Sequence, residues 1–433
     1  MDPALTPEQE AVRRTLRELL AKHSGPDEVR TASADPQGYD AELWHRLADQ
    51  LGLPGLALPT AYGGIGLGPV ELALACEESG RALLPSPLLA SSVLASTAVR
   101  ILGTGQQRAE LLPALAGGAR TGALITAAAP ALALGLIPAG PGDGLPDGTT
   151  AGGGRAGGIQ ARPAPEGDGW LLYGEAGEAL DGARADLLVV AAHTGGFPRS
   201  RTVLFLVEAA SPGLARTRLA AMDDTRTLAR VEFRDTPAVP LGDPERDASP
   251  GLARTGLYAA LAVAAEAVGA AEQCLTRTVE YVQVRKQFGR AVGSFQAVKH
   301  RLADVYVAVE TARSAVHYAA WTLERDEETG DRSGEGEAAA ATAVPLALAH
   351  ALESLRTAAA DAVQLHGGIA ITWEHDAQLY FKRAAADELL FGPPHLLRAR
   401  AAELANLFGP TPVPVPVPAP VPTPAPVTVR QEA

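Results

Sequence analysis

The chain has 433 residues, 47% of them hydrophobic and 20% charged, with a formal net charge of −13; this length exceeds one core and predicts two or three packed subdomains. The acidic balance, with a pI near 5.2, excludes a broad nucleic-acid face, which needs basic residues to displace counterions. No run of about 20 uninterrupted apolar residues predicts a membrane span, and Met1 to Gln9 lacks a basic segment followed by an apolar stretch, so the expectation is a soluble, cytoplasmic protein.

Residues 6–97 predict mostly helix. In the first stretch Glu8, Glu10, Arg13, Arg14 and Arg17 interleave with Val12, Leu16, Leu19 and Leu20, an amphipathic pattern. A second run around Leu43, Trp44, Leu47 and Leu51 gives way to Pro59, Tyr62, Gly63, Gly64, Gly66 and Gly68, which break helix. Helix resumes over 70–84 and ends at Pro85 and Pro87. Cys76 and Cys274 sit in apolar helical patterns without metal-ligand spacing, and read as buried small hydrophobes rather than a disulfide or zinc site.

From 121 to 242 the pattern turns to short β-type runs at 170–173, 186–192, 202–207 and 229–233, predicting a small β-domain between helical halves. Its Gly-rich stretch 138–158 predicts a mobile surface loop or local disorder. Long Ala/Leu/Val periodicity over 251–323 and 338–365, separated by a polar stretch at 324–337, predicts antiparallel helices of a bundle. The Pro/Val/Ala-rich end, 409–427, predicts an exposed polyproline-like, disordered tail. The expected divisions are 1–120, 121–242, 243–408 and a tail at 409–433.

Two segments carry chemistry. Val284-Arg285-Lys286-Gln287-Phe288-Gly289-Arg290, followed by Gly293-Ser294-Phe295-Gln296, is a helix end with cations, an aromatic and a Gly-bounded turn before a new helix start. Such a turn suits an anionic ligand, because arginine offers paired planar donors and a helix start offers free N–H groups. On charge alone it reads more readily as a solvated helix joint, because basic turns are common on surfaces. The second segment, Gln364-Leu365-His366-Gly367-Gly368-Ile369, puts two glycines after a long helix, permitting a left-handed cap and a close ligand approach. A helix cap alone also explains it.

Together, in this order and spacing, these segments resemble the two signature regions of acyl-CoA dehydrogenases. Leu58-Pro59-Thr60-Ala61-Tyr62-Gly63-Gly64, Glu77-Glu78-Ser79-Gly80-Arg81 and Met222-Asp223-Asp224-Thr225-Arg226-Thr227 resemble the same family, so the likeness spans nearly the whole chain. Leu180-Asp181-Gly182-Ala183 and Thr372-Trp373-Glu374-His375-Asp376 resemble its actinobacterial branch, which includes steroid side-chain dehydrogenases. The resemblance implies an α+β, mainly α fold: an N-terminal helical domain, a central β-domain and a C-terminal four-helix bundle. It implies FAD as cofactor, an acyl-CoA or other acyl thioester as substrate, an electron-transfer acceptor, and a homo- or hetero-oligomer with a homologous subunit. Carried over by position, Arg285, Gln287, Phe288, Phe295 and Gln296 hold the neighbour's FAD, Gln364, Gly367 and Gly368 line its adenosine and pyrophosphate end, and Thr126 touches the flavin. No metal is implied.

The family reaction needs a carboxylate that takes the α-proton of the thioester. Its two known places fall on Phe391, before Gly392, and on Ala259, counted back from Val268-Gly269. Neither is a base. Glu266, about two turns beyond Ala259 on the same helix, is the internal substitute, with Glu374, Asp376, Asp387 and Glu388 as further carboxylates. The reading is an α,β-dehydrogenating subunit, with a partner supplying the base in a heterotetramer. A scaffolding subunit that keeps FAD without catalysis, and an enzyme acting on a carrier-protein-bound acyl group, are the alternatives.

Overall fold

The computed structural model describes residues 5–138, 158–165, 169–195, 200–329 and 335–409. Almost all of the expected Gly-rich loop and of the Pro-rich tail, and the middle of the polar stretch 324–337, lie outside the described residues.

The N-terminal part holds α1 (Pro7–His23), α2 (Pro26–Ala34), α3 (Ala41–Leu51) and α4 (Pro69–Arg81). Each start has a local cause. Thr6 and Gln9 form a reciprocal capping box on α1, with bonds of 3.2 and 3.0 Å, and Asp40 accepts from the backbone N–H groups of Glu42 and Leu43 on α3. Gly52, at φ 58°, closes α3 with the left-handed turn that glycine tolerates best. The helix expected to reach residue 84 stops at Arg81, because Leu83 takes φ 48° and turns the chain ahead of Pro85. The next helical run, Leu88–Ala95, is wound as a π-helix and leads into α5 (Ser96–Leu102) and α6 (Gly105–Ala116).

The central strands are β1 (Gly122–Ile125), β2 (Gln160–Pro163), β3 (Trp170–Leu180), β4 (Leu187–Thr194), β5 (Arg201–Glu208), β6 (Leu214–Arg218) and β7 (Leu228–Leu241), with a short α7 (Pro130–Ala133) after β1. Their order is β1-β4-β2-β3-β7-β5, with β6 on β7; β5 also pairs with β4, so the sheet curls back on itself. The run Leu187-Leu188-Val189-Val190 is buried throughout because the strand is covered on both sides. Leu188 and Val190 join Phe205 and Phe233 in a core inside the curl. Val189 and Leu204 point the other way and join the helical core.

The C-terminal part holds α8 (Ser249–Val284), the hairpin β8 (Lys286–Gln287) and β9 (Arg290–Ala291), then α9 (Gln296–Thr329), α10 (Glu335–His366), α11 (Ala377–Phe391) and α12 (Pro394–Leu404). Helices α8 to α11 form the bundle, and α12 packs on α10. One core runs from Leu16 and Trp44 through Leu94 to Val268 and Leu352, so the two helical parts are fused rather than merely adjacent. Gly80 and Gly269 make this possible: a Cβ on either would overlap the backbone of Glu266 or Glu77 where α4 crosses α8. By length and composition α8 and the stretch 338–371 could cross a membrane, but 83% and 56% of their respective windows are buried inside the fold. Cys76 and Cys274 are both buried and free.

Candidate functional site

Phe391 ends α11 with no exposed surface and belongs to the shared core. Ala259, inside α8, is equally buried. Both positions expected to carry the base therefore hold hydrocarbon packed against hydrocarbon, and neither has a proton acceptor in its side chain.

Glu266 lies on α8 and is 6% exposed. Its carboxylate is bound by the guanidinium of Arg226, which comes from the segment leading into β7. The Nε of the same arginine donates to Asp387 Oδ1 at 3.0 Å, so one buried cation bridges two carboxylates on α8 and α11. A second arginine completes the cluster. Arg383 on α11 donates from Nε to Asp223 Oδ2 at 2.6 Å, and Thr225 donates its backbone N–H to Asp223 Oδ1 at 2.9 Å. Burial alone would lower the Arg226 pKa, yet Asp387 and Glu266 outweigh it and hold the guanidinium well above its ordinary value. Burial pushes the Asp387 carboxyl up against the pull of Arg226 and Arg383; Asp223 stays below the usual range because Arg383 and Thr225 outweigh the same burial.

This cluster floors a cavity of about 20 Å³ where all three parts of the chain meet, walled by Glu266, Arg226, Arg383, Asp181, Leu89 and Tyr39. Leu89 belongs to the π-helical run, a winding often found at functional sites. Asp181 accepts a hydrogen bond from the Thr227 hydroxyl. Burial pushes its pKa up to about 6, against Thr227 and Arg226. Thr126 lies outside this lining, and its hydroxyl donates to the Ala128 carbonyl at 2.9 Å. Of the other carboxylates, Asp376 pairs with Arg277, Glu388 pairs with Arg356 at 3.3 Å, and Glu374 is exposed.

The expected cofactor residues gather at the far end of the bundle. Phe288 and Gly289 form the two-residue turn of the β8–β9 hairpin with φ 52° and 77°, the mirror-image turn that suits strand twist and places a phenylalanine in left-handed backbone. Phe288 is 90% exposed. Its ring meets that of Phe295 edge-on at 6.2 Å, and the Arg290 guanidinium lies 3.9 Å over Phe295. Arg285, Gln287 and Gln296 are exposed, and Arg285 forms no ion pair among the described residues. Gln364, Gly367 and Gly368 are exposed at the end of α10; Gly367 has φ 71°, and nothing lies within 4 Å of a Cβ placed on either glycine. The two segments are held together by Tyr281, whose hydroxyl donates to the His366 carbonyl at 3.3 Å. An unpaired guanidinium, a bare aromatic tip and an open glycine pair on one end of a bundle fit a flat, doubly phosphorylated ligand.

Helical layers enclosing a curled β-domain, with an exposed arginine hairpin and glycine pair at one bundle end, form the acyl-CoA dehydrogenase architecture. The description "Acyl-CoA dehydrogenase, N-terminal domain" matches residues 6–119 and "Acyl-CoA dehydrogenase, C-terminal domain" matches residues 255–405. The chain belongs to the acyl-CoA dehydrogenase family and is an oxidoreductase acting on CH–CH groups. Acyl-CoA dehydrogenase IpdE2 of Mycobacterium tuberculosis is 37% identical over 92% of this chain and 97% of that protein. Among solved structures, a variant of the Tcur3481-Tcur3483 steroid ACAD shares 30% identity with a TM-score of 0.73, covering 92% of this chain and 98% of that one. The ChsE4-ChsE5 complex of Mycobacterium tuberculosis shares 26% with a TM-score of 0.76, over 95% of this chain and 100% of that one.

The arginine clamp on Glu266 was not legible in the sequence. Arg226 lies in the segment Met222–Thr227, and nothing in its spacing ties it to α8 and α11.

Proposed function

We propose that this chain is one subunit of a hetero-oligomeric, cytoplasmic acyl-CoA dehydrogenase, carrying the FAD-binding bundle end while a homologous partner supplies the proton-abstracting carboxylate. The observation that carries it is the pair Phe391 and Ala259, both without exposed surface, at the two places where the base would stand. The pairing of the two solved relatives, one named as a complex, supports the same arrangement. When bound, FAD supplies the acceptor for the β-hydride. Arg285, Gln287, Phe288, Phe295 and Gln296 would hold the neighbouring subunit's FAD, Gln364, Gly367 and Gly368 would line its adenosine and pyrophosphate end, and Thr126 would be a flavin contact from the β-domain. The reaction removes an α-proton to the carboxylate and a hydride from the β-carbon, leaving a carbon–carbon double bond conjugated to the thioester. Steroid-derived acyl thioesters are the substrate class favoured by the relatives' names, and the flavin's electrons pass on to an electron-transfer protein.

A second reading keeps the base within the chain, at Glu266. Its favouring observation is that Glu266 lines the three-way cavity; against it, the carboxylate is clamped by Arg226, which occupies a proton-accepting edge. Exchange of the α-hydrogens of an acyl-CoA in deuterated water separates the readings. The partner reading predicts no exchange by this chain alone and exchange by the co-purified pair. Exchange by the lone chain that disappears in Glu266→Gln puts the base here. A pair that binds FAD yet neither exchanges nor reduces it would make the chain a scaffolding subunit.

A further inference from the structure

A cavity of about 300 Å³ lies among the α1–α2 turn, the end of α4, α8 and the start of α11. It is separate from both regions described above: neither Glu266 nor any of the expected FAD contacts lines it. Its size is at the lower end of small-molecule sites, about 300–1,000 Å³. One wall is apolar, with Leu20, Val29, Leu83 and Leu379. The other carries Arg17, Arg81 and Arg277 with Glu78 and Asp376, so cations outnumber carboxylates there in a chain whose net charge is −13.

The cations are held in place. The Glu78 carboxylate has no exposed surface and is gripped by Arg17 through bonds of 2.8 and 2.6 Å and by Arg81 Nε at 3.2 Å. Arg81 is also bound to Glu272, which shares Arg313, and Arg277 pairs with Asp376. Arg17 and Arg277 nevertheless keep 41% and 33% of their side-chain surface exposed, so donors on both remain open to a ligand. A guanidinium has five N–H donors in a rigid fork and is seldom saturated by one carboxylate.

We propose that this cavity is a second binding site, for a small amphipathic anion: a hydrocarbon body against Leu20, Val29 and Leu379, and a single carboxylate or sulfonate head between Arg17 and Arg277. The volume is too small for a CoA thioester, and the apolar wall offers nothing to a polyphosphate, so the ligand is a free acid rather than a thioester. The site is independent of the reading proposed for the flavin end.

Octanoate serves as the probe, titrated calorimetrically into the FAD-loaded protein, with 1-octanol as its uncharged counterpart. The expected result is one octanoate per chain and octanol binding at least tenfold weaker. Arg277→Gln weakens octanoate about tenfold, the effect of losing one good charge-assisted contact, and Ala82→Phe, which fills the cavity, abolishes it. FAD content stays unchanged in all of them. Circular dichroism checks that Ala82→Phe is folded; Arg277→Gln, a change at a partly exposed tip, decides the matter if it is not. Absence of one-to-one octanoate binding, octanol binding as tightly as octanoate, or octanoate affinity unmoved by Arg277→Gln would overturn the assignment.

Discussion

The ring of Tyr281 stacks on that of His366 with centroids 4.4 Å apart and planes 27° from parallel. Tyr281 stands one turn before Arg285, and His366 immediately precedes Gly367, so this contact joins the arginine hairpin to the glycine pair. His366 Nδ1 donates to the Ala362 carbonyl at 2.8 Å, which fixes the ring.

If the two segments bind one cofactor, breaking the stack weakens binding without removing a ligand contact. Stacked aromatic pairs contribute about 0.5–1.5 kcal/mol beyond burial. His366→Ala is expected to raise the Kd of the apoprotein for FAD about tenfold, and His366→Phe to leave it near the original value. Fluorescence titration of the apoprotein with FAD checks both.

Arg226 is the second point of leverage. Removing it leaves Glu266 and Asp387 facing each other, buried and unpaired, a change that costs about 3–5 kcal/mol in comparable sites. Urea unfolding should show Arg226→Met destabilised to that extent. Combining it with Glu266→Gln and Asp387→Asn should restore a large part, because the cost lies in the stranded charges rather than in the lost side chain.

Asp181 sets a pH dependence of opposite sign to that of an ordinary paired carboxylate. Burial raises its pKa from 3.8 to about 6 in the folded chain, so folding favours the protonated form. Its contribution is present below the unfolded value and is lost as pH rises through the folded one. The displacement corresponds to at most about 3 kcal/mol at pH 8, less in practice because the residue as a whole is only half-buried. Asp181→Asn keeps an acceptor for the Thr227 hydroxyl and removes the charge. Its melting temperature should exceed that of the parent at pH 8, and the difference should shrink towards zero near pH 4.

The sequence made the broad plan readable where periodicity was strong. The runs at 170–173, 202–207 and 229–233 lie within β3, β5 and β7, and the run at 186–192 starts one residue before β4, because alternating or continuous apolar strands leave a signal in the chain. β1, β2 and β6 left none: β1 has four residues, β2 is mostly exposed and ends in proline, and β6 shows only half-buried alternate positions. At the site, the hairpin and the glycine pair were visible because their chemistry is local. The cluster around Arg226 was not, because its partners stand 40 and 161 residues away and meet it only after the β-domain docks on the bundle.

Anaerobic addition of an acyl-CoA to the FAD-loaded protein, followed by its visible spectrum, tests the central claim most directly. A flavin that keeps its colour in the lone chain and bleaches when the chain is co-purified with its homologous partner is the predicted result. Bleaching by the lone chain at the rate of the pair would contradict it, since Phe391 and Ala259 would then not have removed the base.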